Sequence, residues 1–386
     1  MNFIYKILQK NKHHFEEGGR LKIFHSLYDA IESLLFVPAN VTHNGTHIRD
    51  AIDMKRTMVV VLIALVPSLL FGMWNTGYWH YKSLGQEVEF IQQFWYGFIK
   101  IIPIIFITYI AGLTVEVAFA QIRHEEVNEG FFITGMLIPL ILPVDIPLWM
   151  VFVATIFATL IGKEIFGGTG MNIFNPALLA RAFLFFAYPS KMTGDKIWVG
   201  GLSKATEVVD GFSGATPLSC TITGNFNQIP DLWDLFIGII PGSIGETSKI
   251  AILLGAILLL VTGVASWRIM LSVFAGGITM TLIFNAIGLN EYMRLTPLTQ
   301  ILMGGFMFGA VFMATDPVSA AQTNKGKYIY GFLIGLFCIM IRVLNSAYAE
   351  GMMLSILLMN AFAPLIDHFV ISSHIKKRLR RAKIKS

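Results

Sequence analysis

Near the middle of the chain, Asp210-Gly-Phe-Ser-Gly-Ala-Thr216-Pro-Leu218 sets an acceptor hydroxyl among glycines. Gly211 and Gly214 let the backbone lie close to an incoming group, with Asp210, Ser213 and Ala215 around them. Pro217 biases Thr216 to an extended conformation that presents its side chain. Taken alone, this is a polar turn. A second run, Gly162-Lys-Glu-Ile-Phe-Gly-Gly-Thr-Gly170, is followed by Asn172 and Asn175-Pro176. It resembles a phosphate-cradling loop, but no Walker lysine and serine follow the glycines. The other reading is a tight re-entrant turn that carries Asn172 and Asn175, beside Lys163, to a cavity. Buried asparagines must be satisfied, and helix packing is the alternative use for them. Four carboxylates, Glu116, Glu164, Asp316 and Asp367, fall in or at the ends of apolar stretches, where acidic residues face cavities or partners and mark ion pathways. A hard cation takes oxygen ligands, a carboxylate plus carbonyls freed where a helix breaks. Asp316 before Pro317 meets that description best and Asp367 after Pro364 next; pairing with Arg181 or Arg342 is the competing reading. Cys220 and Cys338 stand far apart without metal-ligand spacing, which argues against an iron–sulfur cluster, structural zinc or a disulfide scaffold. No nucleophile–base arrangement stands out, which argues against a hydrolase.

The elements that must hold these residues are membrane helices. Of 386 residues, 55% are hydrophobic and only 14% charged, with a mean hydropathy of +0.65; soluble chains carry roughly 25% charged residues. Ten stretches are expected to cross or nearly cross the bilayer: 57–75, 95–120, 131–143, 148–165, 173–187, 249–266, 268–287, 297–313, 328–345 and 351–370. The third and fifth are short and read as broken or half helices. Eight basic residues in 1–56, then Arg123, Lys163, Arg268, Lys325, Lys327 and seven in the tail from Lys376 to Lys385, share one side, against Lys82 and Arg294 opposite. The positive-inside rule therefore puts both termini in the cytoplasm, and the basic tail is an anchor at lipid headgroups rather than a nucleic-acid arm. The expected divisions are a cytoplasmic segment 1–56, a five-helix half 57–187, an extracytoplasmic insert 188–248 bearing Thr216, a second five-helix half 249–370 and a basic tail 371–386. Five spans per half make any internal repeat an inverted one. Pro139–Pro143, Gly162 and Asn172-Ile-Phe-Asn175-Pro176 are loosely echoed by Asp316-Pro317, Gly335 and Asn360-Ala-Phe-Ala-Pro364. Such repeats build midplane sites in transporters, although proline and glycine are also common in membrane helices.

With Asp210-Gly211 ahead of it, Ser213-Gly-Ala-Thr216 resembles the site at which flavin transferases join the phosphate of FMN to a threonine hydroxyl. Phe15-Glu-Glu-Gly-Gly19, Arg49-Asp-Ala-Ile-Asp-Met-Lys-Arg56, Glu125-Glu-Val-Asn-Glu-Gly130-Phe-Phe, Gly162–Gly170, Asn175-Pro-Ala177 and Phe312-Met-Ala-Thr-Asp-Pro317 are similar to one family, the B subunit of the sodium-translocating NADH:quinone reductase, nearly end to end. The D subunit of the Rnf complex is a close relative, expected to lack most of the roughly 50-residue start. The resemblance implies a redox subunit of the bacterial inner membrane that relays electrons from covalent FMN on Thr216 through non-covalent riboflavin to quinone, coupled to Na+ export. It also implies a flavin transferase for maturation and, as partners, an NADH-oxidising flavin and iron–sulfur subunit and a second covalent-FMN subunit. No Gly-x-Gly-x-x-Gly follows a strand here, so NADH must be handled by a partner. A flavin's ring and ribityl hydroxyls match the amides of Asn172 and Asn175, with Pro176 and Lys163 beside them. The quinone is expected between the apolar run around Phe36 in 27–54 and Glu129-Gly130-Phe131-Phe132; the alternative for 27–54 is an amphipathic helix on the membrane that packs partners. Sodium is expected along Asp316, Asp367, Glu164 and Glu116. A rival of another class is a secondary transporter or channel in which Thr216 is incidental.

Overall fold

Proline after a polar residue starts several of the helices. The structure of the chain is a computed structural model, which describes residues 54–123, 130–202, 212–345 and 347–385, with short stretches ahead of residue 54. Its α-helices are α1 (Met54–Ser83), α2 (Phe90–Arg123), α3 (Gly130–Leu140), α4 (Leu148–Gly162), α5 (Pro176–Ala187), α6 (Pro217–Ile222), α7 (Leu232–Ile237), α8 (Lys249–Val261), α9 (Trp267–Ile287), α10 (Pro297–Leu302), α11 (Phe306–Phe308), α12 (Asn324–Leu344) and α13 (Met352–Lys385). Asn175, Thr216 and Thr296 each cap a helix whose first residue is proline. The side-chain oxygen takes an orphan backbone N–H, and the ring sits where no donor is needed.

Six helices among the described residues, α1, α2, α4 with the 3-10 turn that extends it to Phe166, α9, α12 and α13, are long and apolar enough to cross a membrane. Helical structure occupies all ten expected stretches, but four fall short of a span. α3 and α5, with 11 and 12 residues, are the two expected to be short. α8 has 13 residues, and 297–313 is split into α10, α11 and a π-helical turn, Gly309–Met313. The split follows from Gly304, in a left-handed conformation at φ +58°, and from the glycines on either side of α11.

Part of one pairing scheme recurs on both sides of the insert, although the packing of α1 on α2 has no close counterpart between α8 and α9. α2 packs on α4 as α9 packs on α12, α4 meets α5 as α12 meets α13, and the sets join through α1 with α8 and α5 with α13. Lipid supplies no hydrophobic drive between helices, so close approach depends on small residues. At the α9–α12 crossing, a Cβ on Gly276 would stand 2.0 Å from the Phe332 carbonyl oxygen, and one on Gly335 2.0 Å from that of Val273. The segment 238–248, at the end of the expected insert, packs against the helices. Most of it is buried, with Gly245 and Ile244 donating to the carbonyls of Leu140 and Leu142 at 2.7 and 3.4 Å, so it satisfies the backbone left open where α3 ends at Leu140.

Candidate functional site

Breaking helices in an apolar bundle leaves polar backbone and side chains at two ends. At the end where α1 begins and α4 stops, a cavity of about 120 Å³ is lined by Gly130, Thr134, Lys163, Thr169, Asn172, Asn175, Thr315 and Asp316 on its polar side. Met58, Val61, Leu137, Leu259 and Phe312 form the apolar wall. Gly167, Gly168 and Gly170 have φ of +119°, +92° and +91°, values that favour glycine. This turn brings the chain from α4 to Asn172 and Asn175 in the cavity wall. Asn175 also caps α5, accepting from Ala177 and Leu178 N–H at 3.0 and 3.4 Å, and donates to Asp316 Oδ2 at 3.3 Å. With its amide oriented to satisfy its surroundings, Asn360 accepts from Asn175 N–H at 3.2 Å. The two echoed motifs therefore meet in space.

The four acidic candidates separate by partner. Glu116 is ion-paired with Lys163, both side chains 4% exposed, and Glu164 with Arg123 at 3.1 Å. Asp367 accepts from Gln322 and Thr323 N–H at 2.7 and 3.0 Å and so holds the start of α12. Asp316 accepts from Val318 N–H and Ser319 Oγ at 3.1 and 2.8 Å, and it is the one of the four in the wall of this cavity. Pairing of Asp316 or Asp367 with Arg181 or Arg342 is not what the structure shows. Both arginines lie at the other end, and their carboxylates are Glu246 and Glu350.

Of the expected quinone residues, Gly130 lines the cavity and Phe132 is half-buried, its carbonyl accepting from the Tyr109 hydroxyl at 2.7 Å. Phe131 is fully buried, and its ring occupies the space a Cβ on Gly112 would need. That makes Phe131 a packing knob between α2 and α3, closed to a head group unless the helices part. Phe36 is half-exposed. Glu129, Asp210 and Gly211 lie outside the described residues, as does most of 27–53.

At the opposite end, Thr216 is extended at φ −76° and ψ 157°, as the following proline dictates. Its Oγ1 accepts from Ser219 N–H at 3.1 Å, which leaves the hydroxyl hydrogen uncommitted. Ser213 Oγ accepts from Ala215 N–H at 3.2 Å, and Gly214 is pressed against the Asp195 carbonyl, 2.3 Å from where a Cβ would sit. Thr216 lines two adjoining cavities. One of about 330 Å³ adds Arg181, Phe185, Trp198 and Tyr348; one of about 40 Å³ adds Gly242, Ser243, Glu246, Thr247 and Gly304, and Glu350 borders both. Small-molecule sites run to roughly 300–1,000 Å³. The larger cavity, with aromatic walls, an arginine and a presented hydroxyl, fits a flavin mononucleotide joined to Thr216. The charged group beside Thr216 is the part sequence reasoning missed. Glu246 sat inside what read as a polar insert, Lys249 at the first position of an apolar stretch and Glu350 in a loop, with burial the signal that only folding supplies.

Together these features define a polytopic helical membrane protein whose broken helices leave a cavity with a few polar groups at each end. The chain belongs to the NQR2, RnfD, RnfE family, which it matches over residues 41–376. It is 46% identical, over an alignment 403 positions long, to the B subunit of the Na(+)-translocating NADH-quinone reductase of Ectopseudomonas mendocina, an alignment covering 97% of this chain and 98% of that relative. The B subunits of the same reductase from Stutzerimonas stutzeri and Azotobacter vinelandii are 46% and 44% identical, with the same coverage.

Proposed function

We propose that the chain is the membrane subunit of a sodium-translocating NADH:quinone oxidoreductase of the inner membrane, in which it works beside an NADH-oxidising subunit. The observation that carries this is similarity along essentially the whole chain to subunits of that reductase. FMN bound through its phosphate to Thr216 and riboflavin in the cavity of Asn172, Asn175, Pro176 and Lys163 would supply the one- and two-electron chemistry that amino acids lack. The protein's part is to bind, orient and seal. Thr216 offers its hydroxyl, Phe185, Trp198 and Tyr348 wall the ring space, and Asn172 and Asn175 offer amides. Quinone is assigned to the same end as the riboflavin cavity, near Gly130 and Phe132. Asp316 is the carboxylate assigned to sodium there, since a neighbouring amide and hydroxyl, not a cation, are its side-chain partners. The recurring pairing of α2–α4 and α9–α12 supports two inverted five-helix halves, with the Thr216 end outside the cytoplasm.

Thr216→Ala tests the assignment. The variant should insert and yet lose the ultraviolet in-gel fluorescence of the denatured band, because a phosphoester needs the hydroxyl. A denatured alanine variant that still fluoresces with one flavin refutes the assignment to this threonine.

A further inference from the structure

Beside Thr216, five ionisable side chains meet inside the protein. Arg181 Nη1 donates to Glu246 Oε1 at 2.8 Å, and its Nη2 stands 3.7 Å from Glu350 Oε2. Arg342 lies 3.9 Å from Glu350 Oε1 and donates to the carbonyls of Gln300, Met303 and Glu350. Lys249 is wholly buried, and its Nζ donates to the Glu246 and Gly304 carbonyls at 2.7 and 3.2 Å rather than to a carboxylate. Among the described residues, three cations therefore face two carboxylates. A buried charge without a counter-charge is expensive, so the cluster calls for an anion. A cation would enlarge the imbalance.

A second, independent observation says where the anion belongs. Thr247 is buried, its Oγ1 has no hydrogen-bond partner among the described residues, and it lines the smaller cavity together with Thr216, Glu246 and Gly304. A buried hydroxyl without a partner is a donor awaiting an acceptor. Arg181 borders the larger cavity and Thr216 borders both, so Thr216 joins the space beside the arginine to the space beside Thr247. Charge-assisted bonds from arginine to phosphate are the strong ones.

We propose that this cluster is the receptor for the phosphoryl group carried by Thr216. Arg181 is its direct partner, Thr247 a hydroxyl donor, and Lys249 the source of the unmatched positive charge. The proposal rests on Thr216 being the flavin-bearing residue. It makes flavin attachment a step that completes the fold, because the chain before attachment holds an uncompensated cation.

The test is a cycle of four full-length chains made with the flavin transferase: wild type, Thr216→Ala, Lys249→Met and the double variant. Each is heated in detergent while its apparent Tm is followed. Losing the lysine's two carbonyl bonds weakens both backgrounds alike, so only the difference counts. Lys249→Met should lower Tm in the flavin-bearing chain by about 5 °C more than in the Thr216→Ala chain. Equal shifts in the two backgrounds overturn the proposal. Inorganic phosphate serves as a second probe where Lys249→Met fails to fold. Against chloride at matched ionic strength it should raise the Tm of Thr216→Ala and not that of Thr216→Ala with Thr247→Val. No effect of phosphate, or the same effect on both chains, overturns it. Fluorescence of the denatured bands separates the two failures. A Thr216→Ala band that still fluoresces sinks the assignment of Thr216, and the phosphate arm still decides what the cluster binds.

Discussion

Replacing Lys163 by methionine leaves Glu116 as a lone carboxylate inside the bundle. Both side chains are 4% exposed, and Glu116 Oε2 has no hydrogen-bond partner among the described residues, so no neighbouring donor of the bundle stands ready to take over the lysine's role. Removing one member of a buried pair destabilises by about 3–5 kcal/mol, whereas replacing both by apolar groups of similar volume is often neutral. At roughly 2 °C per kcal/mol for a chain of this size, Lys163→Met should lower the apparent Tm by about 6–10 °C. Glu116→Leu with Lys163→Met should recover most of that loss. The assay is thermal unfolding of the purified full chain in detergent, with each single variant and the double variant run together. Lys163→Met within about 2 °C of wild type, or a double variant no more stable than the single, refutes the reasoning. Because Lys163 also borders the cavity that holds Asn172, Asn175 and Asp316, the rescued double variant further separates stability from ligand binding. A double variant that is stable yet no longer holds riboflavin makes the lysine a ligand contact as well as an ion-pair partner.

The orientation is checked by a reporter active only outside the cytoplasm: on when fused within 190–210, off when fused after Ser386, with both fusions in one compartment overturning the inverted halves. A photoreactive quinone analogue should label 27–54 or 129–140 and be displaced by excess quinone, whereas label confined to residues after 249 removes the quinone from that end. Burial, with Asp195 nearby, pushes the Cys220 thiol above the usual range, so at a given pH the folded chain holds less thiolate there. Alkylation of Cys220 at pH 8 should lag that of the denatured chain and gain on it as pH rises; equal rates at pH 8 contradict the buried placement.

Membrane residence, the positions of the helical segments and the conformation of Thr216 were legible in the chain because each is a local property. Apolar run length answers to bilayer thickness, and a proline constrains the residue before it. Glycine clusters marked the turn at 167–170 for the same reason. Span completeness was not legible. Lys249–Val261 is as apolar as a crossing helix and yet stops after 13 residues, and 297–313 breaks at Gly304 where Arg342 and Glu350 crowd the backbone. Partner choice was less legible still. Arg181 reads equally well against any buried carboxylate, and what decided for Glu246 and Glu350 over Asp316 was that helices α5 and α12 carry both arginines to the end of the bundle away from Asp316. The meeting of Asn175 with Asp316, 141 positions apart, exists only once the two halves pack. Sequence determines what a segment can do in lipid, because lipid acts on each residue where it stands. Tertiary structure alone decides which charges share an interior, because a buried charge is defined by what folds around it.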